Sequence, residues 1–230
     1  MNQKLLLFDI DGTLLDTRGA GASSLLDAAE EVFKVQRENI PALDLAGATD
    51  GGVIRKLFAD AAHPYSENVA TNFRLSYLKH LEKRLHHIDF KGQLLHGVEA
   101  LLPKIQQTSH FSVGLLTGNW RSGAMLKLQR FGIEEYFLDG GFGDDGEFRN
   151  DLGPAAVKRM EEATKRRFKP EDIIVIGDTP KDIACAHAMG ARCLAVATGV
   201  FDHASLLPFS SWQVIKDLSD SDHVLELLSS

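Results

Sequence analysis

The residues of this chain best suited to chemistry are acids that follow short apolar runs. Asp9 and Asp11 come directly after Leu5 to Phe8, and Asp178 follows Ile173 to Ile176 and Gly177. Thr117 and Gly118 close another such run, Phe111 to Leu116. Runs this short and this apolar, ended by turn residues, read as strands buried on both faces of a parallel sheet. Open parallel sheets bind ligands beyond the carboxyl ends of their strands, so these side chains are expected at one sheet edge. Asp9 and Asp11 are two apart, which puts them on one side of an extended chain. With Asp178 they make a group of acids that is tolerable only if a proton is shared or a cation is bound. Oxygen donors without clustered His or Cys favour a hard ion such as Mg2+.

The segments between these runs supply the elements that would hold them. Val98, Leu101, Leu102 and Ile105 have helical spacing, as do Met125 and Leu128 running into Phe131, with Gly132 as a stop signal. A further apolar run, Cys193 to Ala197, precedes Thr198 and Gly199. Strands alternating with helices predict an α/β fold, a Rossmann-like parallel sheet core with helices on both faces. Residues 19–90 break that rhythm. Leu25, Leu26, Ala29, Val32 and Phe33 form one apolar stripe, Val53, Ile54, Leu57 and Phe58 a second, and Val69, Phe73, Tyr77, Leu78, Leu81 and Leu85 a third. The chain is expected to divide into a core of residues 1–17 and 90–230 and an inserted all-helical cap domain of residues 18–89. Leaving just after the first strand, such a cap would sit over that strand's carboxyl end.

Composition narrows the partners. The 230 residues carry a net charge of -7, which repels nucleic acid phosphates. Cys185 and Cys193 are the only cysteines, fewer than a secreted disulfide scaffold would carry, and a reducing cytoplasm is the expected location. The first apolar run is broken by Asp9 and is too short for a signal peptide or a membrane span. A monomer and a small homo-oligomer are both compatible with the sequence.

The string FDIDGTLLDT, followed by LLTGN and then VIGDTPKDIACAHAMGA, resembles the haloacid dehalogenase superfamily of hydrolases, in particular its phosphoglycolate phosphatase-like branch with a helical cap. The resemblance implies that Asp9 is a nucleophile that attacks phosphorus, and that Asp11 protonates the leaving group and later activates water. It implies Mg2+ held by the Asp9 carboxylate, the Asp11 backbone carbonyl and Asp178. It assigns the phosphate oxygens to Thr117, Gly118 and Asn119, although Thr117 could instead cap the next helix. The need for cations follows from magnitude: a unit charge pair at 4 Å costs about 4 kcal/mol at an effective dielectric of 20, and a phosphate dianion meeting Asp9 about twice that. The family's usual basic residue lies in a Lys-Pro-x-Pro string, but EFRNDLGPAAVKRM stands here. Arg149, before a helix that Pro154 is expected to open, is favoured over Lys158 inside it.

Thr179, Pro180 and Asp182 are spaced as an N-cap, a first and a third helical residue, so Asp182 supports a helix start. The resemblance adds that this acid orients metal-bound water or a neighbouring group, one step behind the metal ligands. The small residues around Cys185 make it a core residue. LAGATDGG, residues 45–52, resembles the family's cap loop, which makes Thr49, Asp50, Arg55 and Lys56 candidate substrate contacts, although Thr49 could instead cap a helix whose basic residues are simply solvated. Gly141, Gly143 and Gly146 match G-x-G-x-x-G, but Asp144, Asp145 and Glu147 would oppose a pyrophosphate and no helix is expected there. The expected activity is Mg2+-dependent hydrolysis of a small phosphorylated metabolite, of phosphoglycolate or sugar-phosphate type. The alternatives are a sugar phosphomutase or a non-catalytic phosphometabolite-binding protein.

Overall fold

The chain runs through β1 (Lys4–Phe8), β2 (Leu15–Asp16), α1 (Ala20–Phe33), α2 (Asp50–Asp60), α3 (Glu67–Leu85), β3 (Gln93–Leu94) and α4 (Val98–Gln106). It continues with β4 (Phe111–Leu116), α5 (Arg121–Phe131), β5 (Gly140–Gly141), α6 (Arg149–Thr164) and β6 (Ile173–Gly177). The last elements are α7 (Pro180–Ala188), β7 (Arg192–Val196), α8 (His203–Leu206), β8 (Gln213–Ile215) and α9 (Ser221–Ser229). This computed structural model describes residues 3–60 and 63–230.

Six strands form one parallel sheet in the order β5-β4-β1-β6-β7-β8. Period-two alternation in β1 explains why both its faces are apolar. Leu5 and Leu7 pack with α6 and α7 through Leu152, Ala156 and Ile183. Leu6 and Phe8 pack on the other face with Leu101, Leu128 and Val224 of α4, α5 and α9. The predicted Rossmann-like sheet with helices on both faces is therefore the observed one. Strands β5 and β8 are additions to the reading: β5 is two glycines, which present no side-chain pattern. Because β1 lies between β4 and β6, the order reverses at β1, and a crevice opens beyond its carboxyl end.

Helices α1, α2 and α3 lie between β2 and β3, which pair antiparallel through Leu15 with Leu94 and Asp16 with Gln93. They share an apolar cluster of their own, in which the Phe33 and Phe58 rings stand 4.8 Å apart edge to face. Trp120, just before α5, joins that cluster against Tyr77, with ring centroids 5.6 Å apart. Among the described residues this insert contains no strand. No helix of the described residues is long and apolar enough to cross a membrane.

One expected boundary is corrected. Helix α6 begins at Arg149, and Pro154 lies inside it. The Asp151 carboxylate accepts from the Phe148 backbone N at 3.2 Å and starts the helix earlier than a proline signal would. Pro154 and Asn150 are both exposed, so water can satisfy the Asn150 carbonyl that Pro154 cannot serve.

Candidate active site

The ends of three strands deliver Asp9, Thr117 and Asp178, and the starts of α6 and α7 deliver Arg149 and Asp182. Asp9 continues β1, and its backbone N donates to Ile176 O at 2.9 Å, which ties it beside β6. Thr117 leaves β4 and Asp178 leaves β6. Gly12, with φ 84°, turns the chain after Asp11 so that its N donates to Leu15 O at 3.0 Å. The result is a cavity of about 480 Å3 lined by Asp9, Asp11, Thr117, Lys127, Arg149 and Asp178, among others, and roofed by the insert loop before α2.

Asp9 and Asp11 face different partners. Asp9 is buried, and Arg149 Nη2 stands 3.0 Å from its Oδ1. Arg149 is buried as well, pairs with Asp182, and donates to Leu116 O at 2.7 Å. Lys158 is exposed on α6, so of the two basic candidates only Arg149 reaches the acids. The Asp11 side chain is 41% exposed and takes two contacts from Lys127 Nζ, at 2.8 and 2.6 Å.

Carboxylate oxygens of Asp9, Asp178 and Asp182 lie within 4.8 Å of one another, all buried. Burial pushes the Asp9 carboxyl up to about 6 against the pull of Arg149. Burial, reinforced by the charges of Asp182 and Asp9, pushes Asp178 up to about 8. Space is kept clear around Asp178: a Cβ on Gly12 or on Gly199 would overlap its Oδ2. A buried set of hard oxygen donors, opposed by the single guanidinium of Arg149, fits a divalent cation. Asp182 already spends both oxygens, one on Arg149 and the other on Thr179 N and Oγ1 at 3.0 and 2.7 Å. That leaves Asp9 and Asp178 with oxygen to offer. Asp182 thus caps α7 and anchors the guanidinium that faces Asp9.

The sequence matches the family model described as haloacid dehalogenase-like hydrolase over residues 6–196, most of the chain. The chain belongs to that family. It is a haloacid dehalogenase-like hydrolase. It is 26% identical to the phosphoglycolate phosphatase of Vibrio vulnificus strain YJ016, over 93% of this chain and 92% of that one. It is 24% identical to the pyrophosphatase PpaX of Oceanobacillus iheyensis, over 96% and 95%. Among solved structures, a hydrolase from Pseudomonas syringae superposes with a TM-score of 0.74 at 19% identity, over 99% of this chain and all of that one (100%).

Other candidates of this hydrolase are placed as follows. Thr117 is buried, and its Oγ1 accepts from Asn119 N and Nδ2 at 3.3 and 2.8 Å. It does not cap α5, whose N-cap is Trp120. Gly118 O accepts from Asp50 N at 2.7 Å, and a Cβ on Gly118 would overlap Ala48 O, so only a glycine lets the insert loop approach this closely. Asp50 lines the cavity, and its Oδ2 accepts from Trp120 N at 2.8 Å. Thr49 is buried and donates to Glu147 O at 2.6 Å. Arg55 and Lys56 turn away from the cavity: Arg55 pairs with Glu147 and stacks on Tyr65 at 4.4 Å, and Lys56 pairs with Asp60 at 2.9 Å. A helix does open after the Gly141–Gly146 segment, at Arg149, but two of that loop's donors are already spent: Phe142 N on Asp145 at 2.9 Å and Gly143 N on Asn119 O at 2.8 Å. Cys185 is buried, and burial holds its thiol up at about 11, as a core residue requires.

Lys127 is the residue that sequence reasoning missed. Helix α5 buries Gly123, Ala124, Lys127 and Leu128, the i, i+1, i+4, i+5 face, so a lysine occupies a core position that no apolar stripe announces. A stripe drawn instead through Met125, Leu128 and Phe131 turns Lys127 outward.

Proposed function

We propose that this hydrolase is a Mg2+-dependent phosphatase acting on a small phosphomonoester through an aspartyl-phosphate. The observation that carries the reading is the placement of Asp9. It is a buried carboxylate at the sheet's switch point, with a fixed guanidinium on one side and Asp178 on the other. An Asp9 oxygen would attack phosphorus as the phosphorus–ester oxygen bond breaks, and the bonding pair would leave on the ester oxygen. Asp11 gives that oxygen a proton. In the second half, Asp11 takes a proton from water as its oxygen attacks phosphorus, and the bonding pair returns to the Asp9 carboxylate. Thr117 with the backbone of Gly118 and Asn119 holds the phosphoryl oxygens. Arg149 keeps Asp9 ionised and offsets the charge of the arriving phosphate.

Asp9, Asp178 and the Asp11 backbone carbonyl would hold Mg2+, which supplies charge neutralisation for the phosphoryl oxygens when bound. The helical insert acts as a cap over residues 18–89 that excludes water and shapes the leaving-group side of the cavity. A cavity of about 480 Å3 suits a small metabolite; the names of the relatives suggest phosphoglycolate or pyrophosphate as first candidates, and small sugar phosphates are the next.

The test is phosphate release from a panel of these compounds with and without Mg2+. Turnover that is lost in Asp9→Asn and falls by about 100-fold or more in Asp11→Asn is the expected result. Isomerised sugar phosphate with little free phosphate would show a mutase. No turnover by the wild-type protein at any Mg2+ concentration would show a binding protein.

A further inference from the structure

A proton donor must be aimed at the atom that receives the proton. Asp11 immediately precedes the turn at Gly12, at the mouth of the cavity, and an aspartate with a side chain 41% exposed would ordinarily rotate freely. Here it does not. Lys127 Nζ donates to Asp11 Oδ1 at 2.8 Å, to Oδ2 at 2.6 Å and to Asn119 Oδ1 at 2.6 Å, which uses its three hydrogens. The Asn119 amide then turns its Nδ2 to Asp11 Oδ2 at 2.7 Å and to Thr117 Oγ1 at 2.8 Å. Three of the carboxylate's roughly four acceptor directions are thereby filled, two on Oδ2 and one on Oδ1. The remaining direction is on Oδ1.

Lys127 is only 3% exposed on the core face of a helix, a place where a lysine is rare unless paired. Its ammonium forms part of the cavity wall. We infer that Lys127, with Asn119, is a positioning residue for the reaction: it fixes the Asp11 carboxylate so that Oδ1 carries the proton to the ester oxygen of the leaving group. The step is the one already written: the phosphorus–ester bond breaks, its electron pair stays on the ester oxygen, and the Asp11 proton joins it. The inference rests on the reading of Asp11 as the proton donor.

The experiment measures kcat/KM, which reports steps up to departure of the leaving group, for a series from 4-nitrophenyl phosphate through phenyl phosphate to ethyl phosphate. A nitrophenolate leaves without a proton, whereas an alkoxide requires one. Asp11→Asn serves as the reference and should steepen the dependence of rate on leaving-group pKa. Lys127→Met should do the same to a lesser degree. It should lose about tenfold or more on ethyl phosphate and about threefold or less on 4-nitrophenyl phosphate, within the range of general acid catalysis. Lys127→Arg, which keeps a donor at that place, should recover part of the loss. An equal loss on all substrates would assign Lys127 a structural role and overturn the inference, as would no loss on any, provided Asp11→Asn shows the split. If Asp11→Asn itself shows no split, the reading of Asp11 fails and the inference with it. Should Lys127→Met fail to fold by circular dichroism, Asn119→Ala removes the other arm of the clamp, and the same comparison decides the matter.

Discussion

Replacing Asp50 by Asn tests how the insert meets the core. Asp50 opens α2, bonds Gly118 through its backbone, and accepts from Trp120 N with its carboxylate. Burial pushes that carboxyl up to about 6 from 3.8, against the pull of Lys127. The folded state therefore binds the Asp50 proton more tightly than the unfolded chain does. The resulting penalty is absent below about pH 3.8, builds between there and about pH 6, and is complete above that. Each tenfold gain in proton affinity on folding corresponds to about 1.4 kcal/mol, so the full penalty reaches about 3 kcal/mol. Part of the Asp50 surface faces the cavity, where water screens it, so a measured value of about 1 to 3 kcal/mol is expected.

Asn keeps the shape and keeps an oxygen for Trp120 N, and it removes the charge. Thermal melts of Asp50→Asn should exceed wild type by roughly 2 to 12 °C at pH 8. About half of the free-energy gain should be gone by pH 5. A variant less stable than wild type by the same amount at both pH values would refute the reasoning, because the carboxylate would then be contributing attraction to Lys127 in excess of its desolvation.

Other outcomes follow from the same geometry. Gly118→Ala puts a methyl on the Ala48 carbonyl, so kcat/KM should fall about tenfold or more, with the fold retained by circular dichroism; unchanged kinetics would mean that the loop contact is not needed. Because Asp178 holds its proton up to about pH 8, calorimetric Mg2+ affinity should rise by up to about tenfold for each step of one in pH from 6 to 8 and level off above; equal affinity at both ends would count against Asp178 as a ligand. Arg149→Met leaves the buried acids without their cation and should cost about 3 to 5 kcal/mol. Added Mg2+ should then raise its melting temperature more than it raises the wild type's, and an equal rise would argue that Arg149 and the metal do not offset the same charge.

The sheet was legible because β1, β4 and β6 are buried on both faces and are apolar but for Lys4 and Ser112, a pattern that needs no tertiary knowledge. Strand β5 was not, since two glycines carry no pattern and the strand exists only because the β4 edge offers it partners. The acids Asp9, Asp11 and Asp178 could be found because strand ends mark them. Asp182 is legible as a capping residue from local spacing. Its hold on Arg149 depends on α6 and α7 being neighbours, which spacing does not state. The early start of α6 has a local cause: an acid three residues after Phe148 outweighs the signal of a later proline. Lys127 was hidden for a different reason, because it breaks the apolar stripe that defines its helix, and a buried lysine contradicts the rule by which a stripe reveals burial.

The helical insert enters and leaves through β2 and β3, which lie side by side and pair at Leu15 with Leu94 and Asp16 with Gln93. In chain terms, three helices occupy the place of a hairpin's loop. Ends that already meet can be joined by a short turn without altering the register of the main sheet, and the same opening can receive a different module of any length. The architecture therefore separates two kinds of change: the machinery at the strand ends stays fixed while the covering piece is exchanged as a cassette.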